Sequence, residues 1–87
     1  MSENKKHIKE ILYELKQERD ELRVKVHLAK LEASDEWVKL EAKLEKLEAK
    51  AHELGSATAE ASHGIGAAAK LLGEEIRDGF KKIAQHF

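Results

Sequence analysis

The sequence contains no cysteine and no proline, and its aromatic residues are one Trp, one Tyr and two Phe in 87 positions. Without cysteine, the chain has no disulfide framework and no cysteine-based metal or redox site. So few aromatic residues, scattered along the chain, give no stacking platform for single-stranded nucleic acid. No serine lies in a nucleophile elbow, and no Gly-rich phosphate loop follows a strand. We therefore predict that the chain is not an enzyme and needs no cofactor.

Neither sign of charge dominates, because 16 basic residues stand against 17 acidic ones. The protein as a whole is therefore not drawn to nucleic acid, and we expect no nucleic-acid partner. The longest uncharged run, residues 61–69, is far shorter than the roughly 20 residues of a membrane span. The first ten residues, MSENKKHIKE, lack the apolar region of a secretion signal. These absences predict a soluble, cytoplasmic protein.

Charged residues make up 38% of the chain, with much Ala, Glu, Lys and Leu, which is the composition of long helices and coiled coils. The clearest pattern is WVKLEAKLEKLEAKAHEL, residues 37–54, in which apolar residues recur every three or four positions. This stripe is the a/d seam of a coiled coil and must be buried against another helix. Upstream the seam is interrupted by Arg19, which either sets the register or extends its stem into solvent. The predicted self-association seam comprises Leu15, Leu22, Val26, Trp37, Leu40, Leu44, Leu47 and Leu54.

The spacing of eleven residues from Val26 to Trp37 is a stutter, which unwinds a supercoil locally without ending the helix. Residues 31–33 are good helix formers, and no Gly or Pro marks a stop. We therefore predict one long helix over about residues 4–54. The alternative is a new helix capped by Ser34, because two acidic residues follow it in what would be the first turn.

Gly55 and Ser56 predict the next turn, with glycine ending one helix and serine capping a second helix over about residues 57–87. We expect Gly64 and Gly66 to let another helix approach closely, the alternative being that they loosen this region. Eleven-residue spacings along the second helix imply that it is nearly straight. Its predicted apolar face comprises Ile65, Leu72, Ile76, Phe80 and Ile83.

The charges beside the seam are sorted by sign, and the order reverses in the middle of the chain. Before residue 33 the e edge carries four basic residues, Lys9, Lys16, Arg23 and Lys30. Beyond it the same edge carries Glu41 and Glu48, while the g edge changes from acidic to basic. An antiparallel pairing of the two halves therefore places opposite charges together along both edges, whereas a parallel homodimer sets Lys25 against Lys30.

Two arrangements satisfy this antiparallel match: two long helices that cross near Ala33, or one chain that folds at Ser34. With a continuous helix the first arrangement follows. The predicted fold is therefore a single all-α domain, a long helix plus a shorter one in a helical hairpin or coiled coil. It forms an antiparallel homodimer in which the second helices complete a four-helix core.

Two other functions have partial sequence support. Glu60 and His63 form an E-x-x-H element, and two copies with Glu32 or Glu36 resemble the metal site of short encapsulated ferritins. However, Glu60 and His63 fall off the predicted apolar face, so we predict no metal site and keep these two residues as candidates. The segment GIGAAAKLLGEEIRDGFKKIAQHF resembles bombinin-type amphipathic peptides, but its acidic residues balance its charge and disfavour binding to a membrane surface.

The run ELRVKVHLAKLEASDEWVKLEAKLEKLEAKA, with LLGEEIRDGFKKI downstream, resembles small uncharacterised bacterial coiled-coil proteins, some of which are filed as stress-response proteins. This resemblance covers most of the chain and implies a bacterial, cytoplasmic protein associated with stress, but it supplies no catalytic residues. We therefore predict a non-enzymatic coiled-coil protein that acts by self-association and by binding helical partners. The alternatives are a metal-binding bundle and a peripheral membrane protein.

Overall fold

Three helices joined by two short turns run up, down and up in an antiparallel bundle. The computed structural model describes residues 2–87, with side chains from residue 7 onward. Helix α1 is Ser2–Leu28, α2 is Asp35–Ser56 and α3 is Ala59–Ala84. The bundle measures 44 × 19 × 16 Å, and the described part of the chain contains no strand. The predicted all-α fold is confirmed, whereas the dimer with its four-helix core stays a prediction.

The long first helix predicted from the sequence is divided in two, because residues 29–34 form a turn between α1 and α2. Lys30 adopts the left-handed conformation, with φ of 60°. The N–H groups of Lys30 and Leu31 donate to the carbonyl oxygens of His27 and Val26 at 3.0 and 2.8 Å. This is the Schellman motif, in which glycine usually occupies the left-handed position.

Ser34 begins the second helix, as in the alternative considered above. Its backbone is extended, and its Oγ accepts the N–H of Trp37 at 3.4 Å. Such a cap contributes about 1 kcal/mol, which offsets part of the roughly 1–2 kcal/mol that the left-handed conformation of Lys30 costs. Folding at the turn also buries Val26 and Trp37 in one core. Burial and the cap together outweigh the local preference of residues 31–33 for a continuous helix.

The second turn lies at residues 57–58, two positions later than predicted. No described glycine has a positive φ, so Gly55 does not supply the left-handed end expected of it. Ser56 lies in the last turn of α2, and its Oγ donates to a carbonyl of that helix at 3.3 Å. Thr58 caps α3 instead, because its side chain accepts the N–H of Ala61 at 3.3 Å.

One core runs the length of the bundle, and all three helices contribute to it. The rings of Trp37 and Phe80 meet with their centroids 5.9 Å apart. Arg19, which interrupts the seam, is partly buried, and its guanidinium pairs with the exposed carboxylate of Asp20 at 3.1 Å. The buried core residues are Ile8, Leu15, Leu22, Val26, Trp37, Leu40, Leu44, Leu47, Ala51, Leu54, Ala69, Ile76, Phe80 and Ile83.

The close approach of helices depends on two glycines other than those predicted. A Cβ on Gly73 would lie 3.0 Å from Cγ2 of Ile11 in α1. A Cβ on Gly79 would overlap the side chain of Leu40 in α2. Around Gly64 and Gly66 a Cβ would meet nothing within 4 Å. Gly66 is buried and Gly64 is exposed, but neither position requires a glycine for a close helix contact, so our expectation for these two residues is wrong.

Candidate interaction surface

The residues of the predicted self-association seam are all buried within one chain. Val26 and Trp37, which bracket the first turn, are 0% and 1% exposed. The seams of α1 and α2 face each other and also α3. The seam of each helix is therefore buried against the two other helices of its own chain. A second copy therefore reaches the seam only if the bundle opens; otherwise it binds another surface.

The buried face of α3 agrees only in part with the apolar face predicted from the sequence. Ile76, Phe80 and Ile83 are buried, whereas Ile65 and Leu72 are half-buried at the edge of the core. Along α3, small residues that periodicity in large side chains did not reveal are also buried, namely Ser62, Gly66, Ala69 and Gly73. The apolar face that resembled a membrane-binding peptide is thus occupied by α1 and α2 in the folded chain.

The antiparallel charge match lies between α1 and α2 of the same chain. The Lys16 ammonium forms an ion pair with the Glu48 carboxylate, and both side chains are about half exposed. Lys16 donates a hydrogen bond to that carboxylate and attracts its charge, which lowers the pKa of Glu48. Arg23 and Glu41, the next residues of the same two edges, line one groove. The charges along these two edges therefore favour the antiparallel alignment of α1 with α2.

Two further ion pairs attach α3 to its neighbours. Lys43 Nζ in α2 lies 3.4 Å from Glu75 Oε2, and Arg77 Nη2 in α3 lies 3.1 Å from Glu14 Oε2 in α1. All four side chains are exposed by about half. Exposed pairs of this kind contribute about 0–1 kcal/mol each, so they select the register of α3 more than they stabilise it.

The candidate metal ligands Glu60 and His63 are exposed near the start of α3. Of the further ligands proposed, Glu36 lies in the first turn of the 22-residue helix α2 and Glu32 in the turn before it. Both are at the opposite end of α2 from the start of α3, about 30 Å away at 1.5 Å per residue. Among the described residues, no group of three or more His, Cys, Asp or Glu side chains is placed to hold a metal ion. The structure does not bring the four residues together.

Exposed apolar side chains collect at the end of the bundle where α1 ends and α2 begins. The contact of Trp37 with Phe80 places the C-terminal end of α3 there as well. We call this set the turn-end cluster; its members are Val24, Leu28, Leu31, Val38 and Phe87. Their exposed fractions range from 37% for Leu31 to 76% for Leu28. Exposed apolar side chains gathered at one end of a small protein make that end a candidate site of interaction.

A groove of 460 Å³ opens beside this cluster, between α1 and α2. Val24 supplies the exposed apolar side chain of this groove, the buried Trp37 lies at its floor, and charged residues of both signs form the rim. His27 Nδ1 lies 3.4 Å from Glu32 Oε1 at the end nearest the turn. The full lining is Asp20, Arg23, Val24, His27, Glu32, Trp37 and Glu41. An apolar centre with a charged rim is the arrangement of a protein-binding surface.

The seam pattern did not predict the turn-end cluster, because the members of the cluster lie outside the seam. A signal was nevertheless present. Val24 and Leu28 flank the seam residue Val26 at steps of two, and Val38 follows Trp37 directly. Steps of one and two do not share a helix face, so these large apolar side chains had to point away from the seam.

The fold and its surface define a class of protein, an antiparallel three-helix bundle with one apolar end. No helix of the described chain is long and apolar enough to cross a membrane. Comparison with known proteins finds no significant match to a protein-family model, a curated protein or a solved structure.

Proposed function

We propose that this chain is a non-enzymatic helical protein that acts by associating with itself and by binding helical partners. The main support for this proposal is that most of the exposed large apolar side chains lie at one end of the bundle. Seven large ones are exposed among residues 7–87, and five of these belong to the turn-end cluster. The other two, Tyr13 and Leu71, lie apart on the outer faces of α1 and α3.

The energy available at this end is of the right size for association. Complete burial of one large apolar side chain contributes about 1.5–3 kcal/mol. A symmetric contact buries the cluster of both copies. That gain is comparable to the roughly 4–15 kcal/mol lost when two proteins give up their free translation and rotation. A small bundle with a limited core also gains stability from such a contact.

The groove beside the cluster supports binding of a helix. An amphipathic helix inserts apolar side chains into such a groove, and its polar flanks meet the charged rim. Here Val24 is the exposed apolar side chain that would contact the inserted helix, while Arg23 and Glu41 lie at the rim. A partner with flanking charges of both signs fits this rim.

Sedimentation equilibrium and light scattering from micromolar to millimolar concentration test the proposal. We expect the mass to rise from one chain towards two as concentration increases. Leu28→Glu in the turn-end cluster should abolish the rise, because it places a charge in the contact. Leu71→Glu is the matched control, since Leu71 is 61% exposed and lies outside the cluster.

Two outcomes would contradict the proposal. One is a wild-type chain that keeps the mass of one chain at millimolar concentration. The other is an equal response to both substitutions, which would show that association does not depend on the turn-end cluster.

A further inference from the structure

The turn between α1 and α2 has a sequence that also suits a helix. Residues 29–33 are Ala, Lys, Leu, Glu and Ala, all good helix formers, and neither Gly nor Pro is present. Yet Lys30 holds the left-handed conformation that glycine usually takes at this position. The sequence of the six-residue turn segment, residues 29–34, is therefore compatible with a helix as well as with the turn that the structure shows.

The spacing across the turn segment suits both conformations. Val26 and Trp37 are eleven residues apart, which is close to three turns of a straight helix. In the folded hairpin both residues are buried in the core of one chain. In a continuous helix both would lie on one stripe, in line with the remaining seam residues of α1 and α2.

Helix α1 is the part of the bundle that separates most readily. Helices α2 and α3 contact each other more extensively than either contacts α1. The ion pairs Lys16–Glu48 and Glu14–Arg77 join α1 to the other two helices. Each of these contacts can also form with α1 of another copy. An exchanged α1 occupies the same place and runs in the same direction beside α2 and α3 as the chain's own α1 does.

We infer that two copies of this chain associate by exchanging α1, with the turn segment of each copy straightening into helix. Each bundle then consists of α1 from one copy and of α2 and α3 from the other. The inference rests on the proposed self-association and specifies its route. It also accounts for the turn-end cluster, because the two bundles meet at their turn ends and the clusters cover each other.

The exchanged dimer has a distinctive shape. A helix continuous from residue 2 to residue 56 spans about 80 Å at 1.5 Å per residue. The folded single chain is 44 Å long. Small-angle scattering of the isolated dimer should therefore give a maximum dimension near twice that of the single chain, and the shorter dimension of two bundles packed side by side would overturn the exchange. Two closed bundles that meet end to end would have the same length, so cross-linking is needed to distinguish them from the exchanged dimer.

Cross-linking with a short bis-maleimide shows which chain supplies α1. The native sequence has no cysteine, so the variant Lys16→Cys/Glu48→Cys carries one reactive pair between α1 and α2. The control Lys43→Cys/Glu75→Cys joins α2 to α3, which stay in one chain in either form. Dimer is isolated at high concentration by size exclusion, linked at once and run on a denaturing gel.

We expect covalent dimers from the 16/48 pair and single chains from the 43/75 pair. Single chains from both pairs, in a fraction that is dimeric by light scattering, overturn the exchange and leave self-association through the outer surface intact. Absence of any dimer overturns both proposals.

Substitutions in the turn segment give an independent measure. Lys30→Gly favours the left-handed turn and disfavours the helix, so we expect the dimer dissociation constant to rise about tenfold or more. Lys30→Ala/Ser34→Ala removes the cap of α2 and retains helix formers, so the constant should fall by about tenfold. Equal dissociation constants for these two variants would overturn the exchange, because straightening of this segment is its defining step.

Discussion

Gly79 of α3 lies directly against the side chain of Leu40 in α2. Leu40 Cγ and Cδ1 would each be 3.1 Å from a Cβ at position 79, and Cδ2 would overlap it. Leu40 is itself buried in the core, so a Cβ at position 79 would force its side chain out of the position that it holds there. The absence of a side chain at position 79 thus sets how closely α2 and α3 pack.

Gly79→Ala should therefore destabilise the bundle, although alanine is the better helix former. Overpacking of a core costs about 1–3 kcal/mol, which exceeds the gain of about 1 kcal/mol in helix propensity. We expect a net loss and a fall of several degrees in the melting temperature, measured by circular dichroism.

Gly64→Ala provides the control for this substitution. Gly64 also lies within α3, but a Cβ there meets nothing within 4 Å. The helix-propensity gain of about 1 kcal/mol should then appear in full as increased stability. Equal effects of the two substitutions would show that α2 and α3 are not in close contact at Gly79.

Lys30→Gly should stabilise the single chain. Lys30 has φ of 60°, and the left-handed conformation costs roughly 1–2 kcal/mol for a residue with a Cβ. Part of this gain is lost because glycine makes the unfolded chain more flexible, so we expect a net gain of about 0.5–1 kcal/mol in the urea unfolding free energy. Lys30→Val should act in the opposite direction, since a β-branched residue tolerates positive φ least. A destabilised Lys30→Gly variant would argue against the left-handed turn.

Thr58→Ala should cost about 1 kcal/mol, because the Thr58 side chain accepts the N–H of Ala61 at the start of α3. Ser56→Ala, two residues earlier, should change stability by less than about 0.5 kcal/mol, because Ser56 is exposed in the last turn of α2. Chemical denaturation of the two variants distinguishes the cap found in the structure from the one expected from the sequence. A larger effect at Ser56 would place the start of α3 where the sequence pattern put it.

The ion pair between Lys16 and Glu48 should contribute to the acid sensitivity of the fold. Lys16 lowers the pKa of Glu48 in the folded chain, so the charged carboxylate favours folding. That contribution is complete above the ordinary glutamate pKa of about 4.3 and is lost as the pH falls through the lowered folded value. NMR titration of the Glu48 side chain should therefore show a midpoint below that of an isolated glutamate.

Lys16→Met should return the Glu48 midpoint to its ordinary range and weaken the loss of stability between neutral and acid pH. Lys43→Met is the matched control, because Lys43 pairs with Glu75 and not with Glu48. A Glu48 midpoint that is unchanged in Lys16→Met would contradict the pairing of the two edges.

The amino-acid pattern alone was sufficient for the helical class, the residues of the seam and the antiparallel sense of pairing. Leu44, Leu47 and the other seam residues were identified correctly as buried. Apolar residues at steps of three and four form one face of a helix, and that face is buried by packing against another helix. The charge reversal after residue 33 indicated which halves face each other. That pattern is equally compatible with pairing within a chain and between chains, so it left the choice open.

Tertiary structure decided where the chain folds back and which surfaces remain free. Helix propensities at residues 31–33 differ too little to determine a break, whereas burial of Val26 and Trp37 in one core favours it strongly. The packing of the three helices also determines that the close helix contacts lie at Gly73 and Gly79. The sequence alone does not show which glycine faces a neighbouring helix. The same packing left the turn-end cluster exposed. Periodicity specifies what each helix must bury, but the partner that covers each face depends on contacts between residues distant in sequence.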